Sequence, residues 1–118
     1  VSLNFNPNVS HHLKLMLLAN PNAAYFQHLA APFAIELIFE AFADCRYTDD
    51  GYLTARTING AVLDKAQTLV QVQQLLSTGH VETSTGQLLP LNAQTLCVHG
   101  DNKDSIALIK ELKSLCHL

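Results

Sequence analysis

The chain has 118 residues, 48% of them apolar and 14% charged, which is enough to bury one core. Seven Lys plus Arg stand against ten Asp plus Glu, a formal net charge of -3 with no basic cluster, so nucleic acid is not an expected partner. The longest apolar stretch, AAPFAIELIFEAFA, is interrupted by Pro32, Glu36 and Glu40 and falls short of the roughly 20 residues that cross a bilayer, so no membrane span is expected.

The opening VSLNFNPNVSHH has no starting Met, no basic flank and no apolar signal core; it reads neither as a signal peptide nor as a natural beginning, and a fragment is expected. LKLMLL follows as a short strand over residues 13 to 18. Asn20 is placed as N-cap and Pro21 in the first turn of a helix carrying Tyr25, Phe26 and Leu29, which Pro32 closes. AIELIFEAFAD reads as a buried strand from residue 35 to 43, whose period of two puts Glu36, Ile38 and Glu40 on one face. CRYTDDGYLTARTING is a long structured loop with tight turns at its Asp-Gly and Asn-Gly pairs.

A second helix starts from an Asp64 cap, shows Ala66, Leu69, Val72, Leu75 and Leu76 on one face, and stops at Gly79. HVETSTGQLLPL reads as a polar hairpin around Thr85-Gly86. QTLCVHGD is a last strand, followed by a helix from about Lys103 to Leu115 with Ile106, Ile109 and Leu112 inward. Strand and helix thus alternate three times, which predicts an α/β fold with a parallel sheet whose functional groups gather at the carboxyl ends of the strands.

The strand ends hold the groups of interest. His99 exchanges a proton near neutral pH, Gly100 permits a tight turn or close approach to a ligand, and Asp101 can orient a neighbour or hold a metal; the same three residues equally read as a satisfied imidazole and a helix cap. Glu40 and Asp44 place two carboxylates near the same sheet end, either as ligand contacts or as structural ion pairs with Arg46 or Arg56. YTDDG reads as a turn in preference to a calcium loop, since alternating carboxylates and a closing Glu are missing. Cys97 and His99 share a strand face, but no second ligand pair follows, and Cys97 reads as a small buried residue. His11, His12, His28, His80 and His117 have no metal-ligand spacing. Three cysteines, Cys45, Cys97 and Cys116, widely spaced and without a CxxC pair, fit a reduced, cytoplasmic setting.

Taken together, EAFADCRYTDDGYLTARTINGAVL and LCVHGDNKDSIALIKELK resemble the LamB/YcsF family. Its members read E-x-F-A-D-R-x-Y, then D-G-x-L-x-x-R, then G-A, and close with C-x-H-G-D before a last helix. Glu40, Phe42, Ala43, Asp44, Tyr47, Asp50, Gly51, Leu53, Arg56, Gly60, Ala61, Cys97, His99, Gly100 and Asp101 match in that order and spacing. The likeness covers about residues 13–118, and residues 1–12 match poorly. Cys45 stands where the family has Arg, with Arg46 one place later, on the opposite side of an extended segment. The family's D-L-N-x-D-x-G-E, G-F-H-A-G-D and K-P-H-G segments are not among the 118 residues.

The resemblance implies one domain over residues 1–118, the carboxyl-terminal portion of a distorted (β/α) barrel of the glycoside hydrolase and deacetylase type. It further implies part of the A subunit of an ATP-dependent 5-oxoprolinase, which opens a small-molecule lactam, 5-oxoproline, to L-glutamate together with the B and C subunits. On that reading His99, Asp101 and Glu40 are the catalytic candidates. Arg56, Asp44, Arg46, Tyr47 and Gly100 are the substrate- or phosphate-binding ones, and no metal ligand is assigned. Two alternatives stand beside it: a non-catalytic module that forms homo-oligomers to cover its strand edges, and a metal-dependent carbohydrate deacetylase.

Overall fold

The computed structural model describes residues 13–99 and 105–116. Its elements run β1 (Lys14–Leu18), α1 (Ala23–Ala30), a 3-10 turn (Ala31–Phe33), β2 (Glu36–Phe42), α2 (Lys65–Thr78), β3 (His80–Glu82), β4 (Leu88–Pro90), β5 (Thr95–Cys97) and α3 (Ser105–Cys116). β2 lies between β1 and β5 in a parallel sheet, while β3 and β4 form a separate antiparallel hairpin. The expected strand-helix alternation is therefore realised as β1-α1, β2-α2 and β5-α3, with the hairpin inserted before the third unit.

The pleat of β2 divides the sheet into two unlike faces. Phe39 and Ala41 point to one side and join Ala19, Tyr47, Val81, Leu89 and Leu91 in the main core. Burying Phe39 alone contributes roughly 2 kcal/mol. Ile38, Glu40 and Phe42 point to the other side, and the register Leu18↔Glu40↔Thr95 and Phe42↔Cys97 sets Thr95 and Cys97 beside them. The polar groups of the sheet thus share the face that the helices leave uncovered.

Helix starts and stops follow local chemistry in α2. The Asp64 side chain accepts from the Gln67 N–H at 2.8 Å and the Gln67 side chain accepts from the Asp64 N–H at 3.1 Å, a reciprocal capping box. Gly79 closes the helix in the left-handed region, φ 74°, where a side chain would be strained. In α1 the N-cap is Asn22 rather than Asn20. Asn20 folds back instead, its side chain accepting from the Asn22 N–H at 2.8 Å and donating to the Leu18 carbonyl at 2.6 Å. It thereby makes the Asx turn that leads into the helix.

Two helix faces differ from the periodicity reading. On α2, Thr68, Gln71 and Val72 are buried while Ala66 and Leu76 are exposed. On α3, Leu108 and Leu112 pack with Ala43 and Val72, while Ile106 is 69% exposed. Both shifts have one cause: α2 and α3 pack against each other and against the end of β2, which rotates the buried stripe toward that contact. The cap of α3, expected at Asp101, lies outside the described residues.

YTDDG is a turn: the Gly51 N–H donates to the Thr48 carbonyl at 3.1 Å, and Asp49 accepts from the Thr83 and Thr85 hydroxyls of the hairpin turn. Gly51 has φ 90°, and a Cβ there would stand 2.8 Å from Pro21 Cδ, so the loop seats on the start of α1 only with glycine. Among the described residues no helix is long and apolar enough to cross a membrane.

Candidate functional site at the ends of β2 and β5

The parallel ladder between β2 and β5 continues one step past the strands, where the Ala43 N–H donates to the Cys97 carbonyl at 2.8 Å. Beyond it the two chains emerge side by side, and this brings Asp44 and His99 together although they are 55 residues apart in sequence. Asp44 Oδ2 accepts from the His99 backbone N–H at 3.0 Å, and Asp44 Oδ1 lies 3.0 Å from His99 Nδ1. A carboxylate oxygen accepts, so a proton on Nδ1 is the donor in this contact, and in the neutral imidazole Nε2 then carries the lone pair. The Phe42 ring stacks on the imidazole at 5.7 Å between centroids and fixes its plane. The Asp44 side chain is 10% exposed and the His99 side chain 32%, so a buried carboxylate holds a solvent-facing imidazole from behind.

The segment carrying Asp44 is pinned through its backbone. Gln71 Nε2 donates among three carbonyls, those of Ala43 at 2.9 Å, Cys45 at 3.0 Å and Phe42 at 3.1 Å. From the other side the Leu63 N–H donates to the Asp44 carbonyl at 2.9 Å and the Arg46 N–H to the Ala61 carbonyl at 2.8 Å. A strand end has no regular partner for these groups, so a buried amide side chain and the returning loop supply them.

Two thiols border the pair. Cys45 Sγ lies 3.7 Å from both Asp44 Oδ1 and His99 Nδ1. Burial, then the charge and hydrogen bond of Asp44, push the Cys45 thiol up to about 11, with the Arg56 charge acting the other way. Cys97 sits beside the Glu40 carboxylate; burial first, then Glu40 and Asp44, raise its thiol as well. Both sulfurs are therefore held as protonated thiols near neutral pH.

The chain matches the LamB/YcsF family model over residues 7–117. The chain belongs to the LamB/YcsF family. Relatives named as the A subunit of 5-oxoprolinase include one from Vibrio campbellii, 45% identical over 100 residues, and one from Pseudomonas fluorescens, 40% identical over 102 residues. These alignments cover 84% and 86% of the chain but 40% and 41% of the relatives. The fold is also that of a lactam utilization protein from Thermus thermophilus, with a TM-score of 0.70 at 23% identity over 90% of the chain and 42% of that protein. The chain thus spans about two fifths of the length of the relatives it matches. The LamB/YcsF match begins at residue 7, earlier than the position near 13 expected from the motifs.

Within this LamB/YcsF site the predicted residues fall into distinct places. Asp44 and His99 meet directly, and Glu40 stands on the same sheet face next to Cys97. Arg56 is exposed, with its charge within reach of Cys45. Arg46 reaches away, donating from Nη1 to the Glu82 carbonyl at 3.1 Å, so it does not take the place of the family's Arg; Cys45 occupies that place and faces His99. Tyr47 is 0% exposed and its Oη accepts from the Phe42 N–H at 2.9 Å, which makes it a core residue with no surface left for a ligand. Gly100 and Asp101 lie outside the described residues.

Sequence reasoning missed three members of this arrangement: Cys45, Phe42 and Gln71. For Cys45 a signal existed in its position directly after F-A-D. For Gln71 none did, because a lone Gln on a helix reads as a solvated residue.

Proposed function

We propose that this chain carries part of the active site of the A subunit of an ATP-dependent 5-oxoprolinase, the enzyme that opens 5-oxoproline to L-glutamate with the B and C subunits in the cytoplasm. The observation that carries the reading is the Asp44–His99 pair at the carboxyl ends of two adjacent parallel strands, in a LamB/YcsF chain whose relatives bear that name. The three-stranded sheet is read as a sector of a distorted (β/α) barrel, in which strand ends of this kind hold the ligand.

Amide resonance makes the lactam carbonyl a poor electrophile, and ATP as co-substrate supplies the energy that activates its oxygen. In this chain His99 exchanges a proton through Nε2, Asp44 positions the ring, Glu40 contacts the polar edge of the ligand, and Arg56 binds a carboxylate or phosphate. Asp101 and Gly100 complete the His-Gly-Asp segment on the sequence reading. Among the described residues no helix covers the face bearing Glu40, and Met16 at its far side is 54% exposed.

The test is turnover of 5-oxoproline to glutamate by the full-length protein co-expressed with its B and C partners. His99→Ala is expected to lose about 10²–10⁴-fold in rate. Normal turnover by that variant removes His99 from the mechanism. The 118-residue chain alone is expected to be inactive.

A second reading, self-association, is favoured by β1, an edge strand whose Leu15 and Met16 are 43% and 54% exposed. A monodisperse monomer in light scattering at high concentration would rule it out.

A further inference from the structure

We propose that Asp44, Cys45 and His99 form a binding site for a divalent transition metal of the zinc class. The inference rests on side-chain geometry and stands apart from the lactam-opening reading.

Asp44 Oδ1, His99 Nδ1 and Cys45 Sγ form a triangle with edges of 3.0, 3.7 and 3.7 Å. Tetrahedral zinc with bonds of about 2.0–2.3 Å separates such oxygen, nitrogen and sulfur ligands by about 3.3–3.6 Å. Each edge is therefore within about 0.4 Å of what the ion requires. The donor set, one carboxylate, one imidazole and one thiolate, suits zinc or cobalt; magnesium and calcium need six or more oxygens, and one carboxylate does not provide them.

The supports that fix the three atoms are already in place. The His99 backbone N–H occupies Asp44 Oδ2 and so turns Oδ1 toward the ring and the thiol. Phe42 holds the imidazole plane, and Gln71 holds the Cys45 carbonyl. Such outer contacts orient ligands at metal sites. Asp44 and Cys45 are buried while His99 is half-buried, so among the described residues His99 is the most accessible of the three ligands.

On binding, the thiol proton leaves to solvent, the ring proton moves from Nδ1 to Nε2, and the ion bonds to Sγ, Nδ1 and Oδ1. The two negative ligands balance the dication. The ion and the Asp44–His99 hydrogen bond compete for Nδ1, so the metal-bound and proton-bridged forms are alternatives.

The experiment is a titration of the metal-stripped full-length protein with Co²⁺. The expected result is a thiolate-to-cobalt charge-transfer band that saturates at one equivalent and is displaced by Zn²⁺. Cys45→Ser abolishes the band, and His99→Ala and Asp44→Asn weaken binding by more than about 10-fold. Cys97→Ser and Cys116→Ser retain the band, and circular dichroism verifies that each variant is folded. Absence of the band in the wild-type protein, or its survival in folded Cys45→Ser, overturns the proposal.

Discussion

Gln71, in the middle of α2, holds the carbonyl oxygen of Ala43 at 2.9 Å, and through it the backbone that presents Asp44 to His99. The same Nε2 reaches the Cys45 carbonyl at 3.0 Å, so one buried amide serves both residues that flank Asp44. A buried side chain on a separate helix thereby sets the geometry of the dyad.

Gln71→Leu keeps a similar volume and leaves those carbonyls without a donor. The expected cost is about 2–3 kcal/mol of unfolding free energy, read from urea denaturation. Gln71→Glu should be worse, since a carboxylate would face the carbonyls. A loss below about 0.5 kcal/mol for both variants would show that the loop does not depend on this amide.

Asp44→Asn tests the orienting role of the carboxylate. An amide N–H turned toward Nδ1 selects the tautomer protonated on Nε2, so turnover in the proposed 5-oxoprolinase should fall about 10²–10⁴-fold with little change in KM. Nitrogen chemical shifts of the His99 ring should report the tautomer change. Unchanged shifts would mean that Asp44 does not set the proton position.

Tyr47→Phe separates a core role from a ligand role. Removing Oη deprives the Phe42 N–H of its acceptor, which should lower stability by about 1–3 kcal/mol. If the proposed function holds, KM for 5-oxoproline stays unchanged in the proposed 5-oxoprolinase. A raised KM with unchanged stability would restore Tyr47 to the ligand contacts expected from the family motif.

Alkaline stability follows from the buried thiol and phenol. Burial pushes Cys45 from 9.0 up to about 11 and Tyr47 from 10.0 up to about 12, so the folded chain keeps both protons longer than the unfolded chain does. Their contribution is fully present below pH 9, and it is lost between 9 and 11 for Cys45 and between 10 and 12 for Tyr47. The Cys45 part is at most about 3 kcal/mol. Cys45→Ser should flatten the loss between pH 9 and 11 in equilibrium unfolding; an identical profile would mean that the thiol titrates normally. At the acid end, the Thr83 and Thr85 hydroxyls lower Asp49, so its small contribution is present above the usual carboxylate range and disappears as the pH falls through its folded value.

Much of this protein is written in short stretches of sequence. The Asp64–Gln67 capping box, the Gly79 stop, the hairpin turn before Gly86 and the alternation along β2 all depend on neighbours within a few residues, and each is legible in the sequence. The composite of F-A-D, D-G-x-L-x-x-R and C-x-H-G-D is legible as a LamB/YcsF pattern for the same reason. Where reading failed, the partner was distant. Leu108 displaced Ile106 and Ile109 from the buried face of α3 because α2 and the end of β2 define that face, and a single helical period does not encode its direction.

The sequence by itself determined the elements, their parallel order and the strand ends at which polar groups gather. Only the tertiary structure decided which of those groups meet. Ladder pairing of β2 with β5 sets Asp44 against His99 across 55 residues, and the turn at Ala43–Asp44 that ends β2 breaks the strand's alternation, so the adjacent Asp44 and Cys45 both face His99 while Arg46 reaches away. Register over such a span, and the turn that closes the strand, are properties of the packed sheet, which is why a stretch without the family's arginine holds a carboxylate, an imidazole and a thiol in contact.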